Sequence, residues 1–165
     1  MSVRAIDIDG SDAVSSVLKS LLNEFPGLGE KQSVTFATLS ESSGIGFFPT
    51  SGAVFLKNTE SITGHVMQVC VYPFLVIYRS APKTETQRLR IKEFLDALGK
   101  WLERQPVTIN DTEYRLEGYP ALESGNRVIK NISRTSPAYI SSAYQDGIED
   151  WTLSVRLQYE NEFDR

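Results

Sequence analysis

The chain has 165 residues, 41% of them hydrophobic and 23% charged, with a formal net charge of −4 and a pI near 5.1. That length suits one domain able to bury most of its apolar surface, and the composition excludes a disordered chain. The acidic balance argues against a dedicated nucleic-acid binder, and the longest apolar run, residues 69–78, is far shorter than the ~20 residues of a bilayer-crossing helix.

The N-terminal stretch MSVRAIDIDGSD has no apolar segment of the secretory kind, so the expectation is a protein folded in a reducing cytoplasm. The single cysteine, Cys70, has no partner for an intrachain disulfide and reads as a small buried core residue. Residues 11–25, SDAVSSVLKSLLNEF, place Val14, Val17, Leu18, Leu21, Leu22 and Phe25 on one helical stripe. Ser11 or Asp12 can cap the first turn, and Pro26-Gly27 ends the element.

Residues 31–40, KQSVTFATLS, alternate as a strand, with Val34 and Phe36 on one side. The Gly- and Ser-rich ESSGIGFFPTSG reads as a loop carrying Ile45, Phe47 and Phe48. A short strand is expected at 53–57, and NTESITG is a turn. From Val66 to Arg79 both alternating sets are largely apolar, which predicts a strand covered on both faces along part of its length. Pro73 has no amide to donate and implies an edge or a bulge in that strand.

Thr84 and Gln87 form a T-x-x-Q capping box ahead of Ile91, Phe94, Leu95, Leu98, Trp101 and Leu102, which repeat at three and four. Gln105-Pro106 closes this second helix, because the residue before proline is pushed out of the helical region. Two short strands joined at Asn110-Asp111 follow, then a strand at 127–134 and a turn at Asp146-Gly147. The C-terminal EDWTLSVRLQYENEF alternates strictly: Trp151, Leu153, Val155, Leu157 and Tyr159 face a core, while Thr152, Ser154, Arg156, Gln158 and Glu160 face water. Two helices and six or seven strands in this order predict an α+β domain over residues 1–165, a mainly antiparallel sheet with both helices on one face.

Chemistry-bearing constellations are sparse. The only histidine, His65, stands an odd number of positions from Cys70 on the same strand, so the two cannot pair locally. No C-x-x-C, H-x-x-x-H or Asp-rich calcium loop appears, and Gly44-Ile45-Gly46 is too short for a dinucleotide fingerprint. The expectation is therefore no catalytic residue, no metal and no cofactor. Charge is asymmetric: Arg79, Lys83, Arg88, Arg90 and Lys92 stand against Glu85 alone, while Asp146, Glu149, Asp150, Glu160, Glu162 and Asp164 enrich the C-terminal end. A basic edge of one copy meeting an acidic edge of the next would make a head-to-tail contact, and such contacts close into rings when the rotation allows.

The order of an amphipathic helix, a long YPFLVIYR strand, a capped RLRIKEFLDALGKWLE helix and a final DGIEDWTLSVRLQYENEF resembles the minor capsid and tail-terminator (tail-completion) proteins of long-tailed bacteriophages. The resemblance covers most of the chain and rests on hydrophobic patterns rather than catalytic letters. It implies a virion subunit made in the host cytoplasm, forming a ring, usually a hexamer, at the head-proximal end of the tail tube. The ring would stop tube polymerisation and meet the head-closure protein of the neck, with DNA passing non-specifically through the lumen and no membrane involved. On this reading Phe47, Phe48, Pro73, Arg79, Arg88, Arg90, Glu160 and Glu162 are the candidate subunit contacts. The alternatives are another head–tail connector ring (head-closure or minor capsid) and, from a different class, a small cytoplasmic enzyme or ligand-binding domain.

Overall fold

The computed structural model describes residues 11–51, 54–122 and 126–164, and among them the chain is an α+β fold of two helices and nine strands. The N-terminal segment 1–10 and Ala53, both part of the sequence expectations, lie outside the described residues.

Helix α1 spans Ser11–Asn23 and buries Val14, Leu18, Leu21 and Leu22 on its inner face. It ends at Asn23, beyond which Glu24 and Phe25 donate three residues back to Leu21 O and Leu22 O, and the Asn23 side chain ties this end to strand β1 (Val34–Phe36). Asn23 Oδ1 accepts from the Val34 amide at 2.8 Å while Nδ2 donates to the Val34 carbonyl at 3.0 Å. Strand β1 is much shorter than the alternation over 31–40 predicts. Ala37 donates its amide to Phe47 O in the last bond of the parallel ladder, and its left-handed backbone, φ 53°, then turns the chain out of the strand.

The expected loop GIGFFPTSG is largely a strand, β2 (Gly44–Pro49). Its glycines serve close approach: a Cβ at Gly46 would lie 2.9 Å from the Thr38 carbonyl oxygen. Strands β3 (Val54–Glu60) and β4 (His65–Ser80) form a hairpin through Ser61–Gly64, where Gly64 supplies φ +86°. Helix α2 (Glu85–Leu102) begins as predicted, with Thr84 Oγ1 accepting from the Gln87 amide at 3.2 Å. The reciprocal arm of the cap reaches one residue further back, since Gln87 Oε1 accepts from Lys83 N rather than Thr84 N. Strands β5 (Val107–Ile109) and β6 (Thr112–Tyr114) pair around Asn110 and Asp111, both left-handed at φ 50° and 64°, as a tight hairpin turn requires. Strands β7 (Asn126–Arg134), β8 (Tyr139–Ala143) and β9 (Glu149–Asp164) complete the chain.

Two strands of 16 residues, β4 and β9, pair antiparallel from His65↔Asp164 to Ser80↔Glu149. At ~3.3 Å per residue this central ribbon is roughly 50 Å long. Each long strand carries two short strands in tandem on its outer edge: β2 and β3 on β4, β8 and β7 on β9. Among the described residues the one parallel pairing is β1 with β2.

Pro73 occupies neither a free edge nor a bulge. It sits at the seam where the partner of β4 changes from β2, ending at Pro49↔Phe74, to β3, starting at Val54↔Val71. Its carbonyl accepts from Thr50 N at 3.0 Å, and the side of the strand on which it lacks an amide faces the same seam.

Both helices cover one face, over Tyr72, Phe74, Val76, Leu153, Val155 and Leu157, all buried. Phe25 bridges the helices, its ring 5.5 Å from both Phe94 and Trp101. Tyr72 is sealed beneath α1 and shares a 2.8 Å hydrogen bond with Ser15; burial raises its pKa, so it stays protonated. On the other face, among the described residues, no helix or further strand lies over the sheet, and the burial expected on both sides of β4 is reached at Val71 while Met67 is exposed. Thr152, expected in water, is buried there and donates to Ser141 Oγ at 2.6 Å.

Candidate functional site

The uncovered face is the most distinctive surface of the molecule. Strict alternation along β4 puts Met67, Val69, Val71, Pro73, Leu75 and Ile77 on it, an apolar stripe in the middle of the sheet. On β9 the opposed residues are polar: Glu162, Glu160, Gln158, Arg156, Ser154 and Thr152. Strand β2 adds Phe48, opposite Leu75, and the far edge adds Val128 and Tyr139, both substantially exposed. Along this stripe Met67 is exposed, Val69, Pro73, Leu75 and Ile77 are half-buried and Val71 is buried, so partly exposed apolar side chains recur along the face, as at sites that bury against another polypeptide.

The two adjacent phenylalanines of β2 separate. Phe48 lies half-buried on the open face, whereas Phe47 is fully buried against Phe36 and Phe74, with ring centroids 5.1 and 6.1 Å away. Expected as an exposed loop aromatic, Phe47 belongs to the core, because the segment is a strand and successive side chains must point to opposite faces. Pro73 stands in the open stripe opposite Arg156.

The charged candidates are engaged within the chain to different degrees. Arg79 holds Asp150 in a two-pronged bridge, Nε to Oδ1 at 2.7 Å and Nη2 to Oδ2 at 2.9 Å, and Nη1 donates to Ser40 O at 3.0 Å. Tyr144 donates to Asp150 Oδ2 at 3.0 Å, and its ring lies under the guanidinium at 5.7 Å. The hydrogen bond from Arg79 holds the Asp150 carboxyl below its ordinary value. Arg88 likewise donates Nε to both Glu149 oxygens at 3.1 Å and depresses its pKa, with Trp151 Nε1 adding a bond at 3.3 Å. Folding thus joins the start of α2 and the end of β4 to the start of β9, and these pairs neutralise two of the five basic residues and two of the six acidic ones in the contrast the sequence shows. Arg90 differs: among the described residues it has no ion pair or hydrogen bond, and it faces solvent. Glu160 makes a long 3.7 Å pair with Lys130, and Glu162 lies 3.8 Å from His65.

His65 accompanies Glu162 and Asp164 on the open face, with Nδ1 2.8 Å from Asp164 Oδ1, while Cys70 is buried on the helix side. Among the described residues no group of three or more His, Cys, Asp or Glu side chains is arranged to hold a metal. A concavity of about 650 Å³ is an open groove between Lys31–Ser43 and the end of β4, where Gln32 donates to Tyr78 Oη at 3.1 Å and Arg79 is already bridged. No helix among the described residues is long and apolar enough to cross a membrane.

Sequence reasoning missed two features. The stripe of β4 was visible as apolar letters, but its uncovered state was not. Ile62, in the turn read simply as NTESITG, is fully exposed at the hairpin tip. A branched aliphatic among small polar turn residues was the available signal.

No family model matches the chain, and no curated protein matches it. Among solved structures, a chain described as the virion of a native gene transfer agent particle is 10% identical, with 95% of this chain and 100% of that chain covered and a TM-score of 0.44. A score at that level is too low to equate the two folds or to carry a function from one to the other.

Proposed function

We propose that this chain is one tail-terminator-like domain, a structural subunit of a bacteriophage virion. Copies form a ring at the head-proximal end of the tail, ending tube polymerisation and joining tail to neck. The observation that carries the reading is the stripe Met67–Ile77 on the uncovered face of the sheet, a surface suited to burial against another polypeptide. The pattern of elements that resembles tail-terminator proteins supplies the particular assembly. The partners are further copies of the chain, six in the ring, together with the tail-tube protein and the head-closure protein. The net charge of −4 suits a conduit through which DNA slides without being held by its phosphates.

Light scattering coupled to size exclusion, on the chain alone and mixed with tail tube, tests this. The expected outcome is a ring of six copies, or such a ring capping the tube ends in electron micrographs. A monomer at high concentration that also leaves tube length unchanged would sink the proposal. Leu75→Arg, placing a charge in the stripe, should abolish assembly while the isolated subunit still melts cooperatively.

A further inference from the structure

Two features at opposite ends of β4 match each other and cannot meet within one molecule. At the His65 end, the β3–β4 hairpin turns through Ser61–Gly64 with the whole Ile62 side chain in solvent. The turn is held without it: Ser61 Oγ accepts from the His65 amide at 3.0 Å and lies 2.9 Å from the Thr63 hydroxyl, and Gly64 N donates to Ser61 O at 3.0 Å. Ile62 therefore adds nothing to the hairpin and exposes apolar surface at its tip. Acidic side chains stand beside this end, Glu60 on β3 and Glu162 and Asp164 on β9.

At the Ser80 end, a notch of about 330 Å³ opens between the end of β4 and the first turns of α2. Its walls are Tyr78, Pro82, Ile91 and Phe94, and Arg90 stands at the rim. Pro82 and Ile91 are buried, whereas the Tyr78 and Phe94 rings, edge-to-face at 5.4 Å, remain partly open to solvent. Arg79 and Arg88 are bridged to carboxylates nearby, so Arg90 is the guanidinium left to meet an outside anion.

We propose that Ile62 of one copy seats in this notch of the next copy, with Arg90 facing the acidic base of the incoming hairpin. The apolar knob would meet the ring faces of Tyr78 and Phe94 in a notch whose rim is polar, with Ser80, Gln87 and Arg90, and the charge of Arg90 has the sign the knob's neighbours require. Knob and notch are different patches, separated by the roughly 50 Å of β4, and in the ring proposed above they meet head to tail. Each copy then gives its tip to one neighbour and its notch to another, a contact that closes into a ring when the rotation between copies allows. The inference rests on the ring-forming function proposed above and names a contact which that function does not by itself require.

Ile62→Asp should weaken self-association by roughly ten- to a hundredfold, the effect of withdrawing one buried aliphatic side chain. Its melting temperature as a monomer should match the parent, since Ile62 buries nothing in the subunit, and Ile62→Val should assemble normally. In a second arm, Ile62→Cys is mixed with Ala81→Cys, at the mouth of the notch, under mild oxidation. An intermolecular disulfide is expected, and none when the partner is Leu89→Cys on the outer side of α2. Undiminished association of Ile62→Asp, or no preference for Ala81→Cys over Leu89→Cys, overturns the contact while leaving ring formation standing. A parent chain that never associates, alone or with tail tube, removes both.

Discussion

Phe47 and Phe48 are neighbours in sequence, and their alanine variants should behave as opposites. Phe47 is completely buried on the helix side of β2, between the rings of Phe36 and Phe74. Removing a buried phenyl ring costs about 3–5 kcal/mol, the lost transfer energy plus the cavity left behind. For a domain of this length each kcal/mol lowers the melting temperature by about 2–4 °C, so Phe47→Ala should melt roughly 6–20 °C early. Phe48 lies on the open face opposite Leu75 and is only half-buried, so Phe48→Ala should cost the isolated subunit about 1 kcal/mol or less. Its effect should appear instead as weaker self-association. The assay is thermal unfolding by circular dichroism at a dilution where the chain is monomeric, because assembly would otherwise add its own stabilisation. A Phe47→Ala protein melting within about 2 °C of the parent would refute the placement of β2 and with it the assignment of the two faces.

Gly99 lies where a Cβ would come within 2.2 Å of Arg134 Cδ, so Gly99→Ala should force Arg134 off Glu103, to which its Nε now donates at 3.0 Å, at a cost of about 1–3 kcal/mol. Combining it with Arg134→Ala should make the double variant more stable than the sum of the two single losses predicts, and strict additivity in urea unfolding would contradict the clash. Acid should unfold the protein through Glu149, Asp150 and Asp96. Hydrogen bonds from Arg88 and Arg79 depress the first two; for Asp96 burial pushes upward, but the Ala138 amide and Lys92 outweigh it. With folded values below the unfolded ones, their stabilisation is complete above the ordinary carboxylate range and is lost as pH falls through it to the depressed values. Unfolding free energy should therefore drop below about pH 4, and Asp150→Asn should show a shallower acid slope; an unchanged slope would count against the Arg79 bridge as a source of stability.

The helices and long strands were legible because each carries a periodic pattern that needs nothing distant to interpret it. Ile91, Leu95, Leu98 and Leu102 repeat at helical spacing behind a Thr84 cap, and Trp151 to Tyr159 alternate without a break. The Asn110-Asp111 hairpin was legible for a similar reason, as a local conformational preference. Strand β2 was not, because glycine, serine and proline around Phe47 signal a loop and only pairing with Phe74–Arg79 makes a strand of it. The charge contrast between residues 79–92 and 146–164 was visible, but its meaning reversed on folding. A count of signs cannot show that Arg79 and Arg88 end beside Asp150 and Glu149.

What the sequence alone determined is the inventory: an α+β chain, two amphipathic helices, and two long strands whose side chains alternate between opposite faces. Those are short-range properties, set by backbone geometry and by apolar residues recurring every two or every three to four positions. Only the tertiary structure decided which apolar face of β4 would be covered. Both alternating sets are hydrophobic, and the two helices pack together on the side of Tyr72, Phe74 and Val76. The same long-range packing set Ile62 and the Tyr78–Phe94 notch at opposite ends of the sheet. Such distances arise from strand pairing across tens of residues, which no local pattern records.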